Sequence, residues 1–319
     1  MICRICKNSE NNRTFQIKEM MFGLRESFSY FECSNCSCLQ ISEIPQDMRA
    51  YYPSDYISWS AWPAENFVRR FLRIQRDRYE LLHLGPLGRL LCRWYPNHVL
   101  ELIGKAKVAT QSKILDVGCG SGTNLFHLRH AGFRNLVGVD PYAGTEVEKE
   151  GLRILKMSVH ELPHSEKFDL IFLRHSLEHI PDQRETLLSI QKLLAPQGIC
   201  LIMVPVKTDY IWGLYGTDWV QIDAPRHLFL HTLKSFDCLS REAGLLIRDI
   251  VFDSSEFQSW GSEQYKRDIP LKASNSYAID PKKSIFTRRQ IVEFKKTARR
   301  LNKIKQGDSA AFYLANSER

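Results

Sequence analysis

The sequence predicts an α/β protein with a doubly wound, mostly parallel sheet of seven strands, preceded by a small cysteine-rich module. From residue 111 onwards, short apolar runs alternate with helical patterns, which is typical of parallel strands joined by helices. Five of the nine cysteines lie within the first 38 residues, mostly as two close pairs. With 319 residues, 44% of them hydrophobic, the chain can form one large core and a small appended module.

The cysteine pairs Cys3–Cys6 and Cys33–Cys36 each have the spacing CxxC. Two such turns can aim four thiolates at one tetrahedral Zn²⁺, and the metal replaces a core that about 40 residues cannot build. We therefore expect a zinc-ribbon module over residues 1–43, with these four cysteines holding a structural zinc ion and Cys38 outside the site. Unliganded thiols and a redox pair are the alternatives.

Residues 44–110 predict a linker followed by a helical segment. The stretch IPQDMRAYYPSDYISWSAW, from Ile44, is rich in aromatic and turn residues, so we expect it to pack against a folded unit. Residues 65–110 then show apolar residues at helical spacing among closely spaced arginines, with a break at Gly85-Pro86. We expect these helices to cover the core, with a membrane-surface or lid helix as the alternative.

The large domain is expected over residues 111–319, with an insert at 254–308 before its last strand. The expected strands are 113–117, 136–140, 153–157, 168–173, 199–204, 246–252 and 310–314. No apolar run approaches the roughly 20 residues that cross a bilayer. No apolar leader follows the opening MICRIC. We therefore expect a cytoplasmic protein with reduced cysteines.

A glycine-rich loop, ILDVGCGSGTN, follows the first of these strands and precedes a helix. Its glycines let the backbone turn sharply and let a ligand approach where a β-carbon would collide. The next strand ends at Asp140, where an acidic side chain can accept hydrogen bonds from ribose hydroxyls. The loop reads GxGxG and not the dinucleotide fingerprint GxGxxG, which disfavours a nicotinamide cofactor.

Here the sequence resembles the class I S-adenosylmethionine-dependent methyltransferases, whose motif DxGxGxG is matched from Asp116 to Gly122. The segments SVHELP, FDLIFLRHSLEHIPD and LLAPQGICLIMVP match the family in order, so that the resemblance covers residues 111–315. It implies a Rossmann-like fold and S-adenosylmethionine as cofactor. The cofactor-binding residues that it implies are Asp116, Gly118, Cys119, Gly120, Gly122, Asp140, Ser158, Val159, His160 and Arg174.

A narrower resemblance rests on the N-terminal cysteine pairs, YYPSDYISW, DWVQIDAPRHLFLHT and the C-terminal GDSAAFYL. These segments look like a bacterial group of zinc-ribbon methyltransferases that is often associated with sugar and cell-surface polysaccharide pathways. The resemblance implies a small-molecule acceptor, with a nucleotide sugar or lipid-linked sugar as the expected chemistry and polysaccharide biosynthesis as the expected setting.

The candidate catalytic residues are His175, after the fourth strand, and His227, after the fifth. Methylation of an alcohol requires a base to remove its proton, and histidine is the commonest agent. Arg226 could steer an anionic acceptor. In the alternative interpretation, His227 bonds to backbone in a packed corner, just before a helix capped by Thr232.

The stretch LRHSLEHIPD places Glu178 and His179 close to His175. Some quinone-biosynthesis O-methyltransferases have ExxEH here and are thought to bind a metal, whereas this chain has HxxEH. A divalent cation on His175, Glu178 and His179 is therefore one alternative. We expect instead that Glu178 and His179 hold the loop through hydrogen bonds.

The insert carries a local excess of positive charge, with thirteen Lys and Arg against four acidic residues between 261 and 306. Its later part predicts a helix with Ile291, Phe294, Ala298 and Leu301 on one face. The basic face is either solvated or attracts a phosphorylated acceptor, an anionic membrane or nucleic acid. The earlier segment SEFQSWGSEQY offers polar and aromatic groups suited to a sugar.

Three functions from different classes follow. The first is O-methylation of a sugar or glycoconjugate precursor, with a quinone-type acceptor as a variant. The second is RNA methylation, although FLRH stands where methyltransferases of exocyclic base amines have NPPY or DPPY. The third is a binding module without activity, which the intact glycine loop and Asp140 disfavour. The sequence leaves the oligomeric state open.

Overall fold

The computed structural model of the chain describes residues 1–53, 66–144 and 146–317. Its strands are β1 (Arg13–Lys18), β2 (Ser27–Glu32), β3 (Leu39–Ile41), β4 (Lys113–Val117), β5 (Asn135–Val139), β6 (Val147–Lys149), β7 (Leu152–Leu155), β8 (Phe168–Arg174), β9 (Leu194–Pro205), β10 (Phe229–Leu230), β11 (Leu245–Phe252) and β12 (Ser309–Asn316). Its α-helices are α1 (Phe67–Leu82), α2 (Pro86–Trp94), α3 (His98–Lys105), α4 (Thr123–Ala131), α5 (Gln183–Leu193), α6 (Asp209–Tyr215), α7 (Leu233–Glu242), α8 (Phe257–Tyr265) and α9 (Arg288–Lys303). The part of the predicted linker between 54 and 62 lies outside the described residues.

Among these elements, eight strands form one sheet in the order β11-β12-β9-β8-β4-β5-β7-β6. Strands β9, β8, β4, β5 and β7 are parallel, whereas β12 runs antiparallel to both of its neighbours. All seven predicted strands are confirmed, and the additional β6 forms an antiparallel edge beside β7. The five parallel strands end at the same edge, so the loops that follow them converge there.

The two faces of this sheet carry separate apolar clusters because successive residues on a strand point to opposite sides. Ile171 of β8 and Ile202 of β9 pack in the first cluster. Their neighbours Phe172 and Leu201 pack in the second. Helices α5 and α7 and the cysteine module cover the first face. Helices α3 and α4 and the end of α1 cover the second. Helices α1, α2 and α3 confirm the helical prediction within residues 66–110, including the break at Gly85, where φ is +90°.

The cysteine module joins the large domain through a second sheet, in the order β1-β2-β3-β10. Strand β10 comes from the segment after Arg226-His227, and its Phe229 and Leu230 pair antiparallel with Gln40 and Leu39 of β3. The N-terminal module therefore shares a hydrogen-bonded sheet with the segment that carries the candidate residue His227.

The insert between β11 and β12 contains α8 and α9. Ile291, Ala298 and Leu301 are the buried residues of α9, and Phe294 is partly buried, which confirms the predicted apolar face. The basic residues of α9 lie on its exposed side. None of the helices that the structure describes is long and apolar enough to span a bilayer.

Candidate functional site

The four predicted zinc ligands converge in the cysteine module. The Sγ atoms of Cys3 and Cys36 are 3.7 Å apart and those of Cys6 and Cys33 are 3.5 Å apart, and all four lie within 4.8 Å of one another. A tetrahedral ion with Zn–S bonds of about 2.3 Å holds its sulfur atoms about 3.8 Å apart. All four cysteines are free rather than disulfide-bonded. The donor set and its spacing therefore fit a zinc ion.

Two turns of the same backbone conformation form the two halves of this cluster. Residues Lys7 and Ser37, each directly after the second cysteine of a pair, adopt left-handed φ values of 62° and 58°. Their amides donate to the carbonyls of Cys3 and Cys33 at 3.0 and 2.8 Å. The CxxC spacing thus closes two tight turns that point their thiols at one centre.

The glycine-rich loop turns from β4 into α4 through three left-handed residues. Gly118, Gly120 and Gly122 have φ values of 74°, 52° and 76°, which side chains with a β-carbon rarely adopt. The Asp140 carboxylate, at the end of β5, accepts from the Gly120 amide at 2.9 Å and the Tyr142 amide at 2.8 Å. The predicted ribose-binding carboxylate therefore also fixes the loop.

Asp116 lies beneath this loop and is buried. Burial raises its pKa to about 8, although the charge of Arg174 opposes this shift. Its Oδ2 atom has no hydrogen-bond partner among the described residues. A buried carboxylate with an unpaired oxygen beside a left-handed glycine loop fits a ligand that carries an ammonium group and hydroxyls, as S-adenosylmethionine does.

The other predicted cofactor residues lie nearby in the fold. Cys119 is in the glycine loop, and Arg174 is exposed at the end of β8. Ser158 begins a short turn after β7, where its amide donates to Glu161 at 2.7 Å, and Val159 is buried beneath that turn. The His160 ring contacts α5, with Nδ1 2.9 Å from Ser189 Oγ and Nε2 3.5 Å from Thr186 Oγ1.

His175 follows β8 in a left-handed conformation, with φ of 47°, which a non-glycine residue adopts only when its surroundings impose it. Its amide donates to the Met203 carbonyl of β9 at 2.9 Å. Its ring Nδ1 lies 3.3 Å from Glu178 Oε1, and its side chain is 42% exposed. The ring is thus anchored at one nitrogen and open to solvent.

Glu178 is completely buried at the centre of this cluster. Burial opposes its ionisation, but the hydrogen bond with His175 and the nearby rings of His179 and His227 lower its pKa to about 2. Its backbone carbonyl accepts from the Leu228 amide at 2.8 Å, which is the kind of loop-holding contact predicted for it. Its Oε2 atom has no partner in the described part of the chain.

His227, the second catalytic candidate, approaches the same carboxylate from the other side. Its Nε2 is 4.0 Å from Glu178 Oε1 and 3.9 Å from Asp223 Oδ2. Its Nδ1 is 2.7 Å from the Gln221 carbonyl oxygen, so Nδ1 carries the proton and donates it. This bond to the backbone is the contact expected if His227 lies in a packed corner, and Thr232 caps α7 as predicted.

The residues that could hold a cation are not the three of the motif HxxEH, because His227 takes the place of His175. Ligand atoms of Glu178, His179 and His227 lie within 4.8 Å of one another, and the group does not include His175. The Nδ1 of His179 lies 2.9 Å from the Arg226 carbonyl oxygen and 3.1 Å from the Tyr52 hydroxyl. Burial lowers the pKa of His179 to about 4, so the ring is neutral and able to ligate.

The expectation that Arg226 steers an anionic acceptor is wrong. Its side chain is fully buried, where it pairs with Glu19 at 2.8 Å and with Asp223 at 2.7 Å. A guanidinium enclosed by two carboxylates has no surface to offer a ligand. Glu19 was not predicted, since 207 residues separate it from Arg226 and no spacing pattern relates them.

The polar groups of SEFQSWGSEQY are mostly used inside the protein, contrary to the expectation that they are available to a sugar. In α8, Ser262 Oγ accepts from the Val220 amide, and Gln264 bonds to Ser276 and Tyr277. Gln258 is the exception. It is buried, and both atoms of its side-chain amide are without partners among the described residues.

The strand order, the glycine loop after β4 and the acidic residue after β5 are those of the class I methyltransferase fold. A family model described as a methyltransferase domain matches residues 88–249, which is half of the chain. The chain therefore belongs to the methyltransferase-domain family.

Its similarity to characterised proteins is partial. The tRNA U34 carboxymethyltransferase of Colwellia psychrerythraea is 28% identical over 128 residues, which are 36% of this chain and 38% of that protein. The ubiquinone biosynthesis O-methyltransferase of Psychrobacter arcticus is 28% identical over 156 residues, 44% of this chain and 61% of that protein. The corresponding enzyme of Actinobacillus pleuropneumoniae is 29% identical over 154 residues, which are 43% of this chain and 65% of that protein. The chain thus spans less than two-thirds of the length of each of these relatives.

Solved structures with a similar chain path are more distant in sequence. The cyclopropane synthase MmaA2 of Mycobacterium tuberculosis is 16% identical, with a TM-score of 0.43, over 77% of this chain and 94% of that one. A chain from the complex of the Haloferax volcanii Trm112 activator with a methyltransferase is 16% identical, with a TM-score of 0.48, over 76% and 98%. The fold assignment rests on the strand order and not on these similarities.

Proposed function

We propose that the protein O-methylates a hydroxyl group of a small-molecule acceptor, with a sugar or glycoconjugate precursor as the preferred class. The observation that carries this proposal is the position of Glu178, whose Oε1 lies 3.3 Å from His175 Nδ1 and 4.0 Å from His227 Nε2. An alcohol must lose its proton as it attacks, and this carboxylate with its two imidazoles can receive it.

In this proposal His175 is the base. The ionised Glu178 accepts from Nδ1–H, so Nε2 is left as the basic nitrogen, as in a carboxylate-oriented histidine pair. S-adenosylmethionine, when bound, supplies an electrophilic methyl group. His175 Nε2 would receive the hydroxyl proton of the acceptor as its oxygen takes the methyl group. His227 would border the acceptor.

Asp116, Asp140 and the three loop glycines would hold the cofactor. Asp140 would bind the ribose, and Asp116 would accept from the ammonium group once it is ionised. The segment Ser158–His160 would border the adenine, and Arg174 would lie near the reacting end. The four cysteines of the N-terminal cluster would hold a structural zinc ion, which closes its own coordination shell and takes no part in the chemistry.

The sugar assignment has three supports. The buried amide of Gln258 offers one donor pair and one acceptor that the described residues leave unpaired. The narrower resemblance of the sequence is to methyltransferases of sugar pathways. The exposed cations of α9 suit a phosphorylated acceptor such as a nucleotide sugar or a lipid-linked sugar.

A quinone-type acceptor is the second candidate. It is supported by the similarity to two ubiquinone biosynthesis O-methyltransferases and by the group Glu178, His179 and His227, which could bind a divalent cation. The two candidates differ in a measurable way, because a cation-dependent enzyme loses activity in a chelator that spares the cysteine site and regains it with Mg²⁺ or Zn²⁺.

The deciding experiment is transfer of a labelled methyl group from S-adenosylmethionine to panels of nucleotide sugars, polyhydroxylated aromatic acids and RNA. The expected result is labelled sugar, with transfer abolished in Asp140→Asn protein and lowered roughly 10²–10³-fold in His175→Ala protein. Labelled aromatic acid would establish the second candidate. Labelled RNA, or binding of S-adenosylhomocysteine without transfer to any hydroxyl, would contradict the proposal.

A further inference from the structure

Helices α1 and α2 form a hairpin that exposes an unusual number of apolar side chains. We name these residues the hairpin patch: Phe67, Val68, Phe71, Leu87, Leu90, Trp94 and Tyr95. Four of them are more than 60% exposed, namely Phe67 at 81%, Val68 at 63%, Trp94 at 71% and Tyr95 at 72%. A cluster of this size normally marks a surface that meets a partner.

The two helices that carry the patch pack closely and antiparallel. A β-carbon on Gly88 would lie 2.3 Å from the Gln75 carbonyl oxygen and 2.7 Å from Tyr79, and Cys92 Sγ is 3.6 Å from the Arg76 carbonyl oxygen. The chain of α2 thus runs back along the second half of α1. On α2 itself, the spacing of Leu87, Leu90 and Trp94 places them on one side.

The exposed charges of residues 66–98 have one sign. Within residues 66–98, Arg69, Arg70, Arg78, Arg89 and Arg93 are exposed, whereas both carboxylates of that stretch, Asp77 and Glu80, are buried. Asp77 is enclosed by Arg73, Arg76 and His127, so its charge is compensated inside the protein. The hairpin therefore presents exposed cations beside apolar side chains, without an exposed carboxylate among residues 66–98.

We propose that the hairpin patch binds the protein to an anionic lipid surface. Phe, Leu and Trp side chains lower their free energy when they enter the interface between headgroups and acyl chains, and arginines pair with lipid phosphates. A second copy of the chain fits less well, since a twofold contact would bring like charges together. Nucleic acid matches the arginines but not the exposed Val68, Leu87 and Leu90, which offer a phosphate backbone or a base no polar contact.

The test measures binding of the full-length protein to vesicles and does not depend on methyl transfer. The vesicles are phosphatidylcholine alone, or phosphatidylcholine with about one-third phosphatidylglycerol. Two double variants probe the hairpin, Leu90→Ser with Trp94→Ser and Arg89→Gln with Arg93→Gln. Two controls of the same chemistry lie elsewhere on the surface, Val292→Ser with Ile304→Ser and Arg299→Gln with Arg300→Gln. Because the substituted side chains are exposed, all four proteins should fold, which thermal unfolding checks.

The expected result is that the protein binds the anionic vesicles. Both hairpin variants should weaken this binding at least roughly tenfold, and both control variants should bind almost as well as the unmodified protein. Equal binding to neutral vesicles, no binding, or an equal loss in the controls would overturn the proposal. Salt-sensitive RNA binding that only the hairpin variants lose would assign the patch to nucleic acid instead. A dimer in light scattering that Leu90→Ser with Trp94→Ser dissociates would assign it to contact between copies.

Discussion

The hydroxyl group of Tyr30, in the cysteine module, donates a hydrogen bond of 2.9 Å to the backbone carbonyl of His227 beside the candidate catalytic cluster. Two further contacts run in parallel. Glu19 pairs with Arg226, the residue before His227, and Thr232 Oγ1 donates to the Cys36 carbonyl at 2.7 Å. The segment from Asp223 to Thr232 is therefore held from the N-terminal module.

Replacing Tyr30 should therefore affect activity as well as stability. In Tyr30→Phe the buried His227 carbonyl loses its donor, which should lower the free energy of unfolding by about 1–2 kcal/mol. Because the segment then shifts, kcat should fall roughly tenfold. Tyr313→Phe is the matched control, since Tyr313 also donates from a buried position to a backbone carbonyl, that of Leu102, at 2.8 Å. If both variants lose similar stability and neither loses activity, the proposed coupling is absent.

Metal analysis should find one zinc ion per chain, held by the four clustered cysteines. Cys36→Ser should abolish that zinc. It should also lower both the thermal midpoint and the activity, because the turn that carries the Cys36 carbonyl, the acceptor of the Thr232 hydroxyl, loses the metal that holds it in place. Cys238→Ser should retain the zinc, since Cys238 lies on α7 outside the cluster. A zinc-free preparation with unchanged stability and activity would contradict the structural role.

Cofactor binding should tighten as the pH rises towards 8. In the unliganded protein burial raises the pKa of Asp116 to about 8, so its carboxyl group is protonated below that value. A ligand ammonium prefers the ionised form, so binding releases a proton and affinity should increase by up to about tenfold per pH unit below 8. Calorimetry with S-adenosylhomocysteine in buffers of different ionisation enthalpy would measure this proton.

The same group makes the unliganded protein less stable as the pH rises. Between the usual pKa of an aspartate and 8, the folded state binds a proton that the unfolded state has released, so the free energy of unfolding falls with increasing pH across this window. Asp116→Asn should remove both pH dependences. Their persistence in that variant would assign the titration to another group.

The proposed base can be separated from the cofactor site by two substitutions. His175→Ala should lower kcat by roughly 10²–10³ without changing the affinity for S-adenosylhomocysteine, because proton removal is lost and the glycine loop is untouched. Glu178→Gln should also lower kcat, since a neutral amide would no longer hold the His175 ring with Nδ1 protonated and Nε2 free. His164→Ala, at an exposed position away from the cluster, is the control. Full activity of His175→Ala would transfer the role of base to His227.

Local patterns explain why much of the fold could be predicted. The strands from Lys113 to Val117 and from Phe168 to Arg174 are short apolar runs bounded by turn residues, and their alternation with helices dictates a parallel sheet. The glycine loop and Asp140 have conformational and chemical requirements that few residue types meet. The two CxxC pairs could be assigned to one centre because the spacing itself closes each turn.

What the sequence determined, therefore, was each element whose physical cause lies within a few neighbouring residues: the strands, the caps, the glycine loop and the two cysteine turns. Only the tertiary structure decided which distant groups meet. It buried Arg226 between Glu19 and Asp223, grouped His227 with Glu178 and His179, and joined β10 to the sheet of the cysteine module. Such contacts depend on how packed layers align once the core excludes water, and a buried charge then takes whichever partner lies within reach, however far away it is along the chain.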